Sequence, residues 1–282
     1  MRICRNNGIA NACGEYIAFL DADDIFIDND ALEKMYNYGC EHDANIVCAD
    51  LMRVSLDGEI EENFNYKDNN YLKCNEYGSV KSQDYGMPWA FYKNIFKRTY
   101  LEEHNIVFPD LARGQDPVFM AEALVNTDKI YTVPTTLYGY NYAANGGANA
   151  KVNSYPKKYD YMMHFKMTID ILSRAGFVRS AVKYKNQLIT FLSLNRNCDD
   201  HELIEIIHDI FEDEDTPYFE SHDEELIYLR FMILNHDNAK ELYEEYWPIK
   251  RHIRKVVRKY DDNILMHPLI VNSYMKLDSQ VN

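Results

Sequence analysis

The chain has 282 residues, 46% of them hydrophobic, and a mean hydropathy of −0.47, which suits a folded globular protein of one large domain or two smaller ones. Its 45 acidic and 30 basic residues give a net charge of −15, which argues against nucleic acid as a partner, because phosphate contacts need a basic face. Six cysteines (Cys4, Cys13, Cys40, Cys48, Cys74, Cys198) stand in no CxxC or repeated spacing, a pattern of reduced thiols in a cytoplasmic protein rather than of a disulfide framework or a zinc knuckle. No apolar run reaches the roughly 18 residues of a membrane span, and the first residues do not read as a signal peptide.

In chain order, Asn7-Gly8 through Gly14 predicts a short helix between turn signals. Tyr16-Ile17-Ala18-Phe19-Leu20 then forms a continuous apolar run that predicts a strand buried on both faces. Asp21-Ala22-Asp23-Asp24 follows where the chain leaves that strand, the end at which open α/β sheets bind ligands. Carboxylates so close together repel one another unless a cation joins them. Oxygen ligands of this kind suit Mg²⁺ or Mn²⁺ shared with phosphate oxygens. The competing explanation is helix capping. Asp30 and Glu33 have the spacing of a capping box for a helix over 30–39, with Gly39 as its C-cap, which leaves Asp21 and Asp23 free of that duty.

Ala44–Ala49 predicts a second short strand, and Asp57-Gly58 a hairpin or loop before a polar stretch that runs to Asn70. Between Trp89 and Pro109 large apolar residues mix with Lys93, Lys97 and Arg98. These basic residues either balance diphosphate charge near the acidic cluster, with Arg98 the candidate nucleotide contact, or are ordinary surface residues. Gly114-Gln115-Asp116-Pro117 opens the next helix. Asp116 suits the N-cap and Pro117 the first helical position, so capping alone accounts for Asp116. A carboxylate fixed at a helix end is also preorganised to accept a proton from a hydroxyl. Ile130–Pro134 and Leu137–Tyr140 predict two short edge strands around a proline turn.

From Tyr155 onward the spacing turns helical, over Tyr159–Ala175 and Arg179–Leu194. A strongly acidic region from Asp199 to Glu245 keeps Leu203, Ile206, Ile207 and Ile210 on one helical face. The run 249–260 is a basic amphipathic helix that either docks on that acidic region or lies on an anionic membrane. The organisation expected is therefore an α/β domain over 1–150 and an all-helical region over 151–282.

With these residues in hand, the chain resembles the family 2 glycosyltransferases, inverting enzymes that build bacterial surface polysaccharides. The matching stretches are Arg5-Asn6-Asn7-Gly8-Ile9, Gly14 through Asp24, Lys93 through Arg98, Gly114-Gln115-Asp116-Pro117-Val118-Phe119 and Leu137-Tyr138-Gly139-Tyr140. The resemblance implies a partial GT-A fold, Rossmann-like with a mostly parallel sheet and helices. It also implies a donor that is a nucleotide sugar, in particular a UDP-sugar, and a saccharide or lipid-linked acceptor. By the same resemblance Asp21 and Asp23 hold Mn²⁺ or Mg²⁺ on the diphosphate with Asp24 adjoining, and Asp116 is the general base. The reaction is expected in the cytoplasm or at the inner face of the membrane.

Two features depart from the family. Gln115 stands where the family usually has glutamate. A family enzyme also begins with a βαβαβ half that forms the nucleoside pocket, and this chain starts just before the DxD strand, so that strand is expected to carry an unpaired edge. Two other functions fit the residues less well: a non-catalytic interaction protein derived from such an enzyme, and a metal-dependent nucleotidyl- or phosphotransferase, for which no glycine- and lysine-rich phosphate cradle is visible.

Overall fold

The computed structural model describes residues 2–55, 59–60, 71–141, 155–181, 183–184 and 187–188. The chain divides into two compact units, Met1–Ala181 and Val182–Asn282, and every element named below lies in the first. Much of Arg179–Leu194, and the whole of the acidic region and of 249–260, lie outside the described residues. No helix among the described residues is long and apolar enough to cross a membrane.

The elements run α1 (Arg2–Asn11), β1 (Tyr16–Ala18), β2 (Ile25–Phe26), α2 (Ala31–Glu41), β3 (Ile46–Val54), β4 (Gly78–Lys81), β5 (Asn94–Lys97), α3 (Arg98–Glu103), α4 (Gln115–Val125), β6 (Lys129–Asn141) and α5 (Tyr155–Arg174). The strands form one sheet in the order β1-β5-β3-β6-β2, with β4 also paired to β6. The α/β class is as expected, but the strand directions differ. Only β3 and β6 run parallel, and the other four pairings are antiparallel. A parallel pair needs a long crossover, and the chain between β3 and β6 supplies one, while the remaining strands return beside their partners in the opposite direction.

The sheet is covered on both faces because successive side chains point to opposite sides. Val47, Ala49, Val133 and Leu137 meet Ala31 and Met35 of α2 on one side. Ile46, Cys48 and Phe96 join Phe119, Met120 and Leu124 of α4 on the other. Five phenylalanines knit that second layer: Phe19 meets Phe91, Phe96, Phe108 and Phe119 edge-on at 5.3–6.0 Å between ring centroids. Edge-to-face pairs at such distances add about 0.5–1.5 kcal/mol each beyond area burial.

Several local expectations change in three dimensions. β1 is an edge strand with one buried face: Ile17 and Phe19 point into the aromatic layer, while Ala18 is exposed and Leu20 is 49% exposed. The continuous apolar run hides an alternation, because its outward residues lack a covering layer. Gly39 does not end α2, which continues to Glu41. It sits where the helix crosses β1, and a Cβ there would lie 2.9 Å from the Tyr16 ring. Asp30 precedes α2 without a side-chain cap bond and pairs with Lys34 instead, at 2.8 Å. The two short strands expected around Pro134 are one strand, β6, in the interior of the sheet. The proline is tolerated because the β3–β6 register slips there: Cys48 faces Thr132, but Asp50 faces Thr136.

Candidate active site

Three pieces of chain converge at the end of β1. The loop after β1 carries Asp21, Asp23 and Asp24, α4 begins with Gln115 and Asp116, and α1 contributes Arg5. The acidic loop is pinned to the end of β6. The Tyr138 hydroxyl donates to Asp24 Oδ2 at 2.6 Å and accepts from the Asp21 amide at 3.2 Å, while the Asn141 amide donates to Asp24 Oδ1 at 2.8 Å. Asp24 is buried, and burial raises its pKa against the lowering effect of these two donors. It anchors the loop, whereas Asp23 beside it is exposed.

Asp116 does not cap α4. The cap position is Gly114, in the left-handed region at φ +75°, and Asp116 is the second helical residue. Its carboxylate is turned to Arg5, whose Nη1 donates to Oδ1 at 2.5 Å. The same guanidinium donates from Nη2 to both oxygens of Asp21, at 2.7 and 2.8 Å. Arg5 therefore bridges the loop after β1 and the start of α4, 111 residues apart in sequence from Asp116. It lies over the Phe91 and Phe108 rings at 4.8 and 5.1 Å, in cation–π range.

The electrostatics follow from this bridge. Burial works against the charge on Arg5, but Asp116 and Asp21 outweigh it and raise its pKa. For Asp116, burial is the largest influence and raises the pKa; the Asp21 charge adds to it and Arg5 opposes it. An aromatic wall stands beside the carboxylates. Tyr92 stacks on Tyr138 at 4.3 Å and on Tyr140 at 5.8 Å, and burial above all pushes its hydroxyl pKa far up.

Along the outer edge of β1 runs a groove of about 870 Å³, lined by Arg5 and Gly8 of α1 and Ala12 just after it, by Ile17 and Leu20, and by Asp21 and Asp23 at its acidic end. Pockets of about 300–1,000 Å³ suit small molecules of nucleotide size. Among the described residues no three carboxylate, histidine or cysteine groups meet at one point. An ion on a diphosphate needs less: one or two carboxylates, with phosphate oxygens and water completing its shell. Asp23 is open to the groove. Each Asp21 oxygen accepts one bond from Arg5 and keeps lone-pair capacity for a second partner. These two residues fit a hard divalent cation.

The structure thus brings Asp21, Asp23, Asp24 and Asp116 together and leaves Arg98 out. Tyr16 pairs with Lys97, so Arg98 sits at the beginning of β1 while Asp21 follows its end. There Arg98 donates to the Gly14 carbonyl and pairs with Glu102. Lys97 pairs with Asp43, and Lys93 is fully buried with its Nζ donating to the Leu72 carbonyl. None of the three balances charge at the acidic loop. Arg5 does so, a role that local sequence pattern does not assign to it. The one available signal is that Arg5 is a basic residue just upstream of the carboxylate loop in the same matching block.

Gln115 is buried and donates to the Leu111 carbonyl, so it props the loop before α4 rather than facing Asp21.

The sequence model of Glycosyl transferase family 2 matches residues 3–100. EpsH of Bacillus subtilis (strain 168) is 26% identical over 204 residues, 68% of this chain and 54% of EpsH. The poly(ribitol-phosphate) beta-N-acetylglucosaminyltransferase TarP of Staphylococcus aureus (strain N315) is 29% identical over 147 residues, 50% of this chain and 41% of TarP. The chain therefore spans about half the length of these relatives. In three dimensions it resembles S. aureus TarS 1–349, with a TM-score of 0.58 and 15% identity over 90% of this chain and 71% of that one. Residues 3–100 thus resemble glycosyl transferase family 2 in sequence, and the chain has a fold like that of TarS.

Proposed function

We propose that the chain transfers a sugar from a nucleotide-sugar donor, of the UDP class, to a saccharide or lipid-linked acceptor, with inversion at the anomeric carbon. The observation that carries this reading is the meeting of Asp116 with the Asp21–Asp23 loop at the acidic end of the β1 groove. Because Asp116 is released from helix capping, its carboxylate is available for chemistry.

In this reading the nucleotide occupies the groove and its diphosphate lies at Asp23 and Asp21. Mn²⁺ or Mg²⁺ held there would offset the negative charge of the departing nucleoside diphosphate. Asp116 accepts the proton of the acceptor hydroxyl as that oxygen forms its bond to the anomeric carbon. The bond from that carbon to the diphosphate oxygen breaks on the opposite face, and the electron pair leaves with the diphosphate. A single displacement needs one base and no enzyme nucleophile. Tyr92 and Tyr140, half-buried and stacked on one another over the buried Tyr138, are aromatic side chains of the kind that suit the apolar face of a sugar ring. The reading places the reaction in the cytoplasm, with the basic run 249–260 as a contact to anionic lipid at the inner membrane face.

Calorimetric titration of the 282-residue protein with UDP, with and without Mn²⁺, tests the donor side, with Asp23→Ala as control. Binding that needs the metal and is lost in the variant supports the reading. Absence of UDP binding by the folded protein in either condition refutes the UDP-sugar assignment. Co-sedimentation with anionic vesicles, lost when Lys250, Arg251, Arg254 and Lys255 become glutamine, tests the membrane contact.

A further inference from the structure

We infer that Arg5 is the positioning residue of this site: one guanidinium sets Asp116 and Asp21 in fixed relation, so that base and diphosphate loop act on the same substrate. The inference rests on the glycosyl-transfer reading above and adds a role that neither the motifs nor the comparisons assign.

Three observations support it. Arg5 is nearly buried, with 9% of its side chain exposed, and its three donor contacts divide between the two carboxylates: two to Asp21 and one to Asp116. Its plane is confined by the Phe91 and Phe108 rings. The Phe108 backbone is itself locked to α1 next to Arg5, because the Asn6 side chain donates to the Phe108 carbonyl and accepts from its amide, both at 2.9 Å. Among the described residues Arg5 is the hydrogen-bonding partner of the Asp116 carboxylate.

The physical need is plain. Two carboxylates facing one another in a part-buried site repel, and an opposite charge between them allows both to stay close. A rigid guanidinium fork can address two acceptors in a fixed geometry. An ammonium is a point charge on a flexible stem and cannot reproduce it. A displacement of about 1 Å in a reacting group costs on the order of a hundredfold in rate, so Arg5 can govern turnover through the placement of Asp116.

The test uses the full chain with Arg5→Ala and Arg5→Lys, assayed by sugar transfer with and without added methylguanidinium. The expected result for Arg5→Ala is a fall in kcat of about a hundredfold, with the donor KM within a few-fold of the parent. Methylguanidinium should restore at least tenfold of that loss and methylammonium should not, and Arg5→Lys should stay close to Arg5→Ala. A kcat within a few-fold of the parent, or a loss indifferent to methylguanidinium, would overturn the inference.

If the parent protein itself transfers no sugar, the functional reading fails, and a second arm still decides the geometry. Urea unfolding of Arg5→Ala, Asp116→Asn and the double variant should show coupling. Removing Arg5 should change the unfolding constant about tenfold less when Asp116 is already asparagine. Strictly additive effects would refute the bridge.

Discussion

Gly114→Ala is the sharpest test of how the start of α4 is built. Gly114 has φ +75°, and a Cβ placed there would lie 2.0 Å from His164 Cδ2, 2.3 Å from Cγ and 2.5 Å from Cβ. The imidazole has nowhere to go. It is fully buried, with Trp89 at 5.3 Å, Tyr161 at 4.5 Å and Phe165 at 4.2 Å between ring centroids. Two costs follow. The left-handed conformation costs a residue with a Cβ about 1–2 kcal/mol, and forcing extra volume into a packed layer costs about 1–3 kcal/mol. Together they predict a loss of about 2–5 kcal/mol, measured by urea unfolding followed by far-UV circular dichroism. The two parts separate in the Gly114→Ala, His164→Gly double variant. There the backbone cost persists while the overlap disappears, so the pair should be less destabilised than the sum of its single changes. A Gly114→Ala protein within about 0.5 kcal/mol of the parent, the range of unremarkable surface changes, would refute both the strained cap and the close packing of α5 on α4.

Asp116→Asn should lower sugar transfer by about 10²–10⁴-fold, the usual worth of a general base. Retained UDP binding and an unchanged circular dichroism spectrum would confine the loss to chemistry; transfer at more than a third of the parent rate would exclude Asp116 as the base. Tyr138→Phe should cost about 1–3 kcal/mol in chemical unfolding, because buried Asp24 loses a donor and the Asp21 amide an acceptor; a neutral effect would mean the acidic loop is held by other contacts. The buried His164 imidazole has its pKa pushed by burial down to about 3, against roughly 6.5 in an unfolded chain. Between those values the unfolded state binds the extra proton, so the stability His164 contributes is complete above about pH 6.5 and is lost as pH falls toward 3, at up to about 1.4 kcal/mol per pH unit. The parent should lose stability on acidification faster than His164→Gln, and identical pH slopes would contradict the burial of this histidine.

Local pattern made much of this molecule legible. The apolar run at Tyr16–Leu20, the carboxylates that follow it and the helix opening near Asp116 are all visible as spacing and composition, and together they name the acidic site. What pattern alone left open were the roles of those residues. Asp116 followed by proline looks the same whether it caps a helix or faces a cleft; the left-handed backbone at Gly114 takes over the cap position and frees the carboxylate. Lys93, Lys97 and Arg98 look like a basic patch near an acidic pocket, yet the antiparallel pairing of Tyr16 with Lys97 carries Arg98 to the opposite end of β1 from Asp21. The apolar run itself could not say that Ala18 and Leu20 would lie bare, because coverage of a face depends on which elements pack there.

The sequence by itself determined which residue types stand at the site, since strand periodicity and the cost of clustered carboxylates act over a few neighbouring positions. Only the tertiary structure decided which charge meets which. Arg5 and Asp116 are separated by 111 residues and meet at 2.5 Å, and ion pairing of that kind depends on distance and burial, which no short stretch of sequence encodes.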